Sequence, residues 1–166
     1  MKILLIEKLP RILSNKTRLE KELKIKITNR GKEVSISGKP EDEYIAEKVI
    51  DALEFGFNFS DAMLIKNEDS IFEILNIKDY TKRDDLKKVR ARIIGKGGKT
   101  LKVLSDLTEC HFELKDNFVG IIGESEKIEN AQNAMISLIK GSKQSNVYAR
   151  LEKLKPEPIL DLGLKK

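Results

Sequence analysis

Apolar and polar positions follow two rhythms along this chain, and the order of those rhythms occurs twice. Ile3-Leu4-Leu5-Ile6 is a short apolar run stopped by Pro10, which predicts a buried strand within residues 1–6. Leu19 and Leu23 stand four apart behind Asn15 and Thr17, either of which can start a helix. Two alternating stretches follow, Leu23-Lys24-Ile25-Lys26-Ile27-Thr28 and Glu33-Val34-Ser35-Ile36-Ser37, joined through Asn29-Arg30-Gly31-Lys32 as a hairpin. Pro40 opens a helix whose first turn carries Glu41, Asp42 and Glu43, suited to the positive end of the helix dipole. Ile45, Val49, Ala52 and Leu53 form its inward stripe and Gly56 its stop. A helical turn over residues 60–65 leads to a strand at 71–77.

The order then returns. Leu86, Val89 and Ile93 have helical spacing and run into Gly95-Lys96-Gly97-Gly98. Leu101, Leu104 and Thr108, with Val103 and Leu107, predict the next helix. Strands at His111-Phe112-Glu113-Leu114-Lys115 and Val119-Gly120-Ile121-Ile122 flank a turn at Asp116-Asn117. A last helix holds Ile128, Ala131, Met135, Leu138 and Ile139 inward and stops at Gly141. The repeat has a measurable offset: Gly38 and Gly123, Gly56 and Gly141, Val34 and Val119, Ile36 and Ile121, and Leu53 and Leu138 are each 85 positions apart. The opening strands align at only about 70, so the first copy is short by about 15 residues. The expected loss lies between its first strand and its short helix, where the second copy has a helix and the glycine loop. Each copy reads as a three-stranded, mainly antiparallel sheet with helices on one face, an α+β unit. The expected boundaries are 1–68, 69–142 and a tail, 143–166. Val147, Tyr148, Leu151 and Leu154 predict a short docked helix in that tail, and residues 156–166 a loosely held end.

Charge changes this picture in one place. From Leu86 to Lys102 the cations are Lys87, Lys88, Arg90, Arg92, Lys96, Lys99 and Lys102, with no acid among them. That contributes +7 to a chain of net charge +5, leaving −2 for everything else. A turn with glycine at both ends lets a sugar-phosphate backbone approach closely, and the helix after it points free N–H groups at the anion. Nucleic acid is therefore the expected partner. Gly98-Lys99-Thr100 also resembles the end of a nucleotide-binding P-loop. That motif needs glycine where Ile93 stands and a strand leading into the loop, where this chain has a helical pattern.

Other chemistry finds little support. The single cysteine, Cys110, excludes an internal disulfide and a cysteine-based zinc cluster, and the one histidine, His111, lies beside it. Both read as structural, and neither a metal nor a cofactor is expected. Asp84, Asp85, Asp106, Glu109, Glu113 and Asp116 form no recognisable catalytic motif, so no enzymatic activity is expected. Lys2 is followed by only four apolar residues before Glu7, which is no signal peptide, and no apolar run suits a membrane span. A soluble, cytoplasmic protein without membrane contact is expected.

With this order of elements, Arg92-Ile93-Ile94-Gly95-Lys96-Gly97-Gly98-Lys99-Thr100 resembles the KH RNA-binding domain of type I, whose G-x-x-G loop clamps four backbone nucleotides. Two tandem KH-like units, the first lacking its G-x-x-G, resemble the Partner-of-Nob family of small-subunit ribosome assembly factors in its archaeal form. Gly56-Phe57, Asp61-Ala62-Met63, Phe72-Glu73-Ile74, Ile77-Lys78-Asp79, Leu138-Ile139-Lys140-Gly141 and Ser145-Asn146-Val147-Tyr148 carry the resemblance with the loop. It covers about 53–150 well, and the first 50 residues only as a pattern.

The resemblance implies a non-catalytic protein that holds single-stranded rRNA near the 3′ end of small-subunit rRNA and assists 3′-end processing. The endonuclease that trims that end, and other assembly or translation factors, are the implied protein partners. Carried onto this chain, Gly95, Lys96, Gly97 and Gly98 lie along phosphates, and Arg90, Arg92, Lys99 and Lys102 add charge. Ile94 and Phe112 are candidates to contact bases, whereas Ile93, Leu101 and Leu114 serve mainly the core. Lys87 and Lys88 fit a solvated helix face as well as a phosphate contact. A general single-strand binder or translation-linked factor uses the same loop without rRNA specificity. An RNA-processing enzyme is the remaining alternative.

Overall fold

The computed structural model describes residues 1–155. Its first unit comprises strand β1 (Lys2–Leu5), helices α1 (Leu9–Leu13) and α2 (Lys16–Leu23), strands β2 (Lys26–Arg30) and β3 (Glu33–Ser37), and helix α3 (Pro40–Phe55). Helix α4 (Phe59–Met63) and a 3-10 turn lead into the second unit, with β4 (Ser70–Asn76), α5 (Leu86–Ile94), α6 (Lys99–Thr108), β5 (His111–Lys115), β6 (Phe118–Glu124) and α7 (Ser125–Lys140). Helix α8 (Gln144–Leu154) follows. Each unit has one antiparallel three-stranded sheet, ordered β1-β3-β2 and β4-β6-β5. The architecture is α+β, as the periodicity indicated. The local stops act as the sequence implies: Gly56 and Gly141 end their helices at φ +136° and +109°, a region open to glycine.

Matching contacts relate the two copies. Leu4 pairs with Val34, and Leu75 with Val119. The amide of Ile6 donates to Lys32 O, and that of Ile77 to Asn117 O, both at 2.9 Å. Arg11 donates from Nε to Leu53 O at 2.7 Å and from Nη2 to Phe57 O at 2.8 Å. Arg92 donates from Nη1 to Leu138 O at 2.8 Å and from Nη2 to Ser142 O. The acceptors of these two arginines are again 85 positions apart, whereas the arginines themselves are 81 apart.

That difference corrects the expected position of the loss. The first copy keeps a counterpart of α5 as the five-residue α1, with Pro10 inside its first turn rather than ending a strand. What it lacks at the corner is a segment the length of Gly95-Lys96-Gly97-Gly98, and the rest of the loss falls between β1 and α1. Two smaller expectations also change. The strand at 1–6 is half-exposed: Ile3 and Leu5 keep 59% and 74% of their surface, because no described residue covers that face of the first sheet there. Strand β2 begins at Lys26, since Leu23 ends α2 and Lys24 takes a left-handed φ of +58°.

The helices of the second unit lie on one face of its sheet, as the periodicity indicated. On one face of that sheet Val119 and Ile121 pack with Ile93, Leu104, Met135 and Leu138. The other face meets the first unit, so β6 is buried on both sides from Val119 to Gly123. Phe55, Phe57 and Phe72 form a three-ring cluster across the junction, with centroids 5.7–5.9 Å apart. Gly120 lies beneath it; a Cβ there would stand 2.8 Å from the Phe55 ring and 2.9 Å from that of Phe57. Burying a phenylalanine side chain is worth about 2–3 kcal/mol, so the cluster joins the two units through apolar area. His111 Nδ1 lies 3.3 Å from Asp61 Oδ1 at the same junction. Burial pushes the Glu113 carboxyl above its ordinary range there, with the Arg11 guanidinium opposing.

Candidate nucleic-acid interface

Helix α5 starts where the Asp85 carboxylate accepts the amide of Lys88, and it buries Val89 and Ile93. Its periodic stripe ends at Ile94, where the chain must reverse into α6. Gly95 makes the reversal at φ +77°, ψ 171°, and its amide still donates to Ala91 O at 2.8 Å. This conformation is essentially restricted to glycine. A Cβ on Gly95 would stand 2.1 Å from Thr100 Oγ1 and 2.6 Å from Thr100 N, so α5 and α6 meet where Gly95 has no side chain. Thr100 is buried.

Gly97 and Gly98 differ in kind. They are left-handed at φ +63° and +79°, and no described residue comes within 4 Å of a Cβ built on either. Their outer side is open. Gly98 is the N-cap of α6 and no side chain caps that helix; the amides of Gly98 and Lys99 donate back to Gly95 O and Lys96 O within the turn. Lys96, Lys99 and Lys102 are exposed around them, and the half-buried Ile94 and Leu101 flank the turn. The glycines therefore divide the work: Gly95 permits packing, and Gly97 and Gly98 leave the approach clear.

Two cations point elsewhere. Arg90 donates from Nη1 to Asn117 Oδ1, tying α5 to the β5–β6 turn. Arg92 is held on the carbonyls at the end of α7, as Arg11 is on those at the end of α3. A contact retained in the copy without a glycine loop serves the fold. Arg92 is accordingly reassigned from phosphate contact to capping α7, which also places positive charge at a helix C-terminus. Phe112 and Leu114 are half-buried and face the core beneath α6, on the sheet face opposite His111 and Glu113. Cys110 is buried with its thiol shifted up by burial, and it fills the space beside Gly123. Among the described residues no group of three or more His, Cys, Asp or Glu is placed to hold a metal ion, and no helix is long and apolar enough to cross a membrane. Sequence reasoning missed Thr100 and Asn117 as supports of the loop. Thr100 stood at the end of the false P-loop match and of the KH resemblance without a packing role, and Asn117 is 27 residues from the arginine it meets.

The β4-β6-β5 sheet, with α5 and α6 joined by an open glycine turn and α7 packed beside them, defines a KH domain. Residues 71–156 match the family model for the second KH domain of PNO1, a eukaryotic-type KH domain (KH-domain type I). A KH domain-containing protein of Methanocaldococcus jannaschii is 28% identical over 145 residues, covering 83% of this chain and 64% of that protein. The RNA-binding protein PNO1 of Oryzias latipes is 30% identical over 139 residues, covering 80% of this chain and 57% of that one. In a crystal structure of the a/eIF2alpha–aDim2p–rRNA complex from Pyrococcus horikoshii OT3, one chain superposes with a TM-score of 0.80 at 30% identity, covering 92% of each chain. This chain belongs to the PNO1 family of KH-domain proteins and resembles its archaeal members. It spans about 57–64% of the length of these curated relatives.

Proposed function

We propose that this protein is a non-catalytic RNA-binding factor of small-subunit ribosome assembly. In this reading it grips single-stranded rRNA near the 3′ end of small-subunit rRNA and assists the processing of that end. One observation carries the reading: Gly97 and Gly98 are left-handed, unobstructed, and stand at the uncapped N-terminus of α6. The positive end of the helix dipole and three exposed lysines then converge on a position a phosphate can occupy. The names of the relatives support the class, since PNO1 of Oryzias latipes is called an RNA-binding protein and the Pyrococcus horikoshii complex contains rRNA. Phosphates fix the strand and unpaired bases lie over Ile94 and toward the β5 edge. The first unit, without the loop, contributes no phosphate grip and serves as spacer or protein-docking surface. The nuclease that trims the 3′ end is its proposed neighbour.

Gly97→Asp with Gly98→Asp tests the grip. Asp tolerates the left-handed region better than most residues, so the fold stays intact, while two anions occupy the approach. Fluorescence anisotropy with a labelled oligonucleotide from the rRNA 3′ end is expected to show no binding by the variant; unchanged affinity would sink the assignment. Three to five phosphate contacts give a slope of about −2 to −4 in log K against log[salt]. A flat response would refute phosphate recognition, and specific cleavage of labelled rRNA by the pure protein would show an enzyme instead.

A further inference from the structure

A second acid-free stretch runs between Glu129 and Glu152, and its cations are Lys140, Lys143 and Arg150. All three are exposed. Lys140 and Lys143 flank the turn from α7 into α8, and Arg150 reaches back from α8 to α7. Arg150 Nη1 donates to Ser137 Oγ at 3.3 Å, which sets its guanidinium on α7 one turn before Lys140. Lys140 and Arg150 line one open groove of about 370 Å³ with Asn130, Asn133 and Ser137, over a floor that includes Val147 and Leu151. Among the described residues no carboxylate lines it.

The end of α7 adjoins the end of α5, which runs into the glycine loop. Arg92, three residues before Gly95, is bonded to Leu138 O and Ser142 O, and those acceptors bracket Lys140 and immediately precede Lys143. The arginine that ends α5 therefore fastens the two acid-free segments side by side. An acidic protein surface meets the same charge, yet the tie through Arg92 to a segment that ends in the phosphate-facing loop favours the chain that already carries phosphates at regular intervals.

We infer that the Lys140–Lys143–Arg150 corner is a second phosphate track, holding the RNA strand that continues beyond the nucleotides gripped at Gly95–Gly98. This rests on the proposed RNA-binding reading. It makes the footprint longer than a four-nucleotide clamp. The glycine loop holds the core of the site, and the α7–α8 corner takes only backbone charge from the flanking strand.

The test compares single-stranded oligoribonucleotides of about five and about twenty nucleotides from the 3′ end of small-subunit rRNA, the shorter centred in the longer, by anisotropy across a salt series. The variant is Lys140→Gln with Lys143→Gln and Arg150→Gln, which keeps polar side chains on an exposed surface. Each lost phosphate contact on a single strand removes about 0.7 from the salt slope. The slope for the twenty-mer is expected to fall by about two, with the five-mer unchanged and the unfolding midpoint unmoved. The single Lys143→Gln is expected to remove about a third of that. A variant that binds the twenty-mer like the parent, while Gly97→Asp with Gly98→Asp abolishes binding, overturns the second track and leaves the loop assignment standing. Equal weakening on both probes also overturns it, since the charges would then act at the core site. If the aspartate pair leaves binding of both probes intact, the RNA reading itself fails and takes the track with it.

Discussion

Gly95→Ala would place a methyl carbon 2.1 Å from Thr100 Oγ1, 2.6 Å from Thr100 N and 2.7 Å from Thr100 Cβ. Rotating the threonine moves its hydroxyl and methyl but not its amide or Cβ, whose positions the backbone of α6 fixes. The first turn of α6 must therefore move away from α5, opening the packing around Ile93 and Leu104. Gly95 also sits at φ +77°, ψ 171°, where a side chain costs about 1–3 kcal/mol. Overpacking adds about 1–3 kcal/mol more. The sum, about 2–6 kcal/mol, corresponds to a loss of roughly 5–20 °C in unfolding midpoint for a protein of this size. Gly97→Ala and Gly98→Ala meet open space, so each carries only the left-handed penalty of about 1–2 kcal/mol. Thermal denaturation followed by circular dichroism, paired with RNA titration well below each midpoint, separates the cases. Gly95→Ala is expected to lose mainly stability, and Gly97→Ala with Gly98→Ala mainly affinity. A smaller midpoint change for Gly95→Ala than for Gly97→Ala would refute the division between packing and access.

Arg11→Ala and Arg92→Ala each strip two charged hydrogen bonds from helix-end carbonyls, and each is expected to cost about 2–4 kcal/mol in denaturant unfolding. Arg92→Ala should also leave the salt slope of RNA binding unchanged; a fall of about 0.7 would return Arg92 to the phosphates. Gly120→Ala drives a methyl into the Phe55 and Phe57 rings and should cost about 1–3 kcal/mol, so a neutral midpoint would contradict the packed junction. The Glu43 carboxylate accepts the Gly38 amide at 3.0 Å and faces the terminal ammonium, which hold its pKa below the ordinary value. A lowered carboxyl pKa contributes stability that is present above the unfolded value of about 4.3 and is lost as pH falls through the folded one. Glu43→Gln should therefore be less stable than the parent at neutral pH, with the gap closing below about pH 4. A gap of constant size through that range would exclude Glu43 titration as its source.

The sequence alone determined what depends on neighbours along the chain. Periodicity located the strands and helices, glycine and proline marked most of their ends, and the 85-residue offset exposed the duplication. The open turn at Gly95–Gly98 was legible for the same reason, since the conformations it needs are local properties of glycine. Tertiary structure decided what depends on residues far apart in the chain. Arg92 and Lys99 are both cations beside the loop in the sequence, but only folding brings the carbonyls of Leu138 and Ser142 to Arg92 and leaves Lys99 facing solvent. The glycine of β6, Gly120, gave no sign that two phenylalanines from the first copy would rest on it. The surviving helix α1 stayed hidden because five residues containing Pro10 carry too little periodicity to announce a helix, and its place became clear only from the carbonyls that Arg11 holds. A side chain's local type states which interactions it can make; the partner it meets depends on which distant backbone the packed core brings within reach.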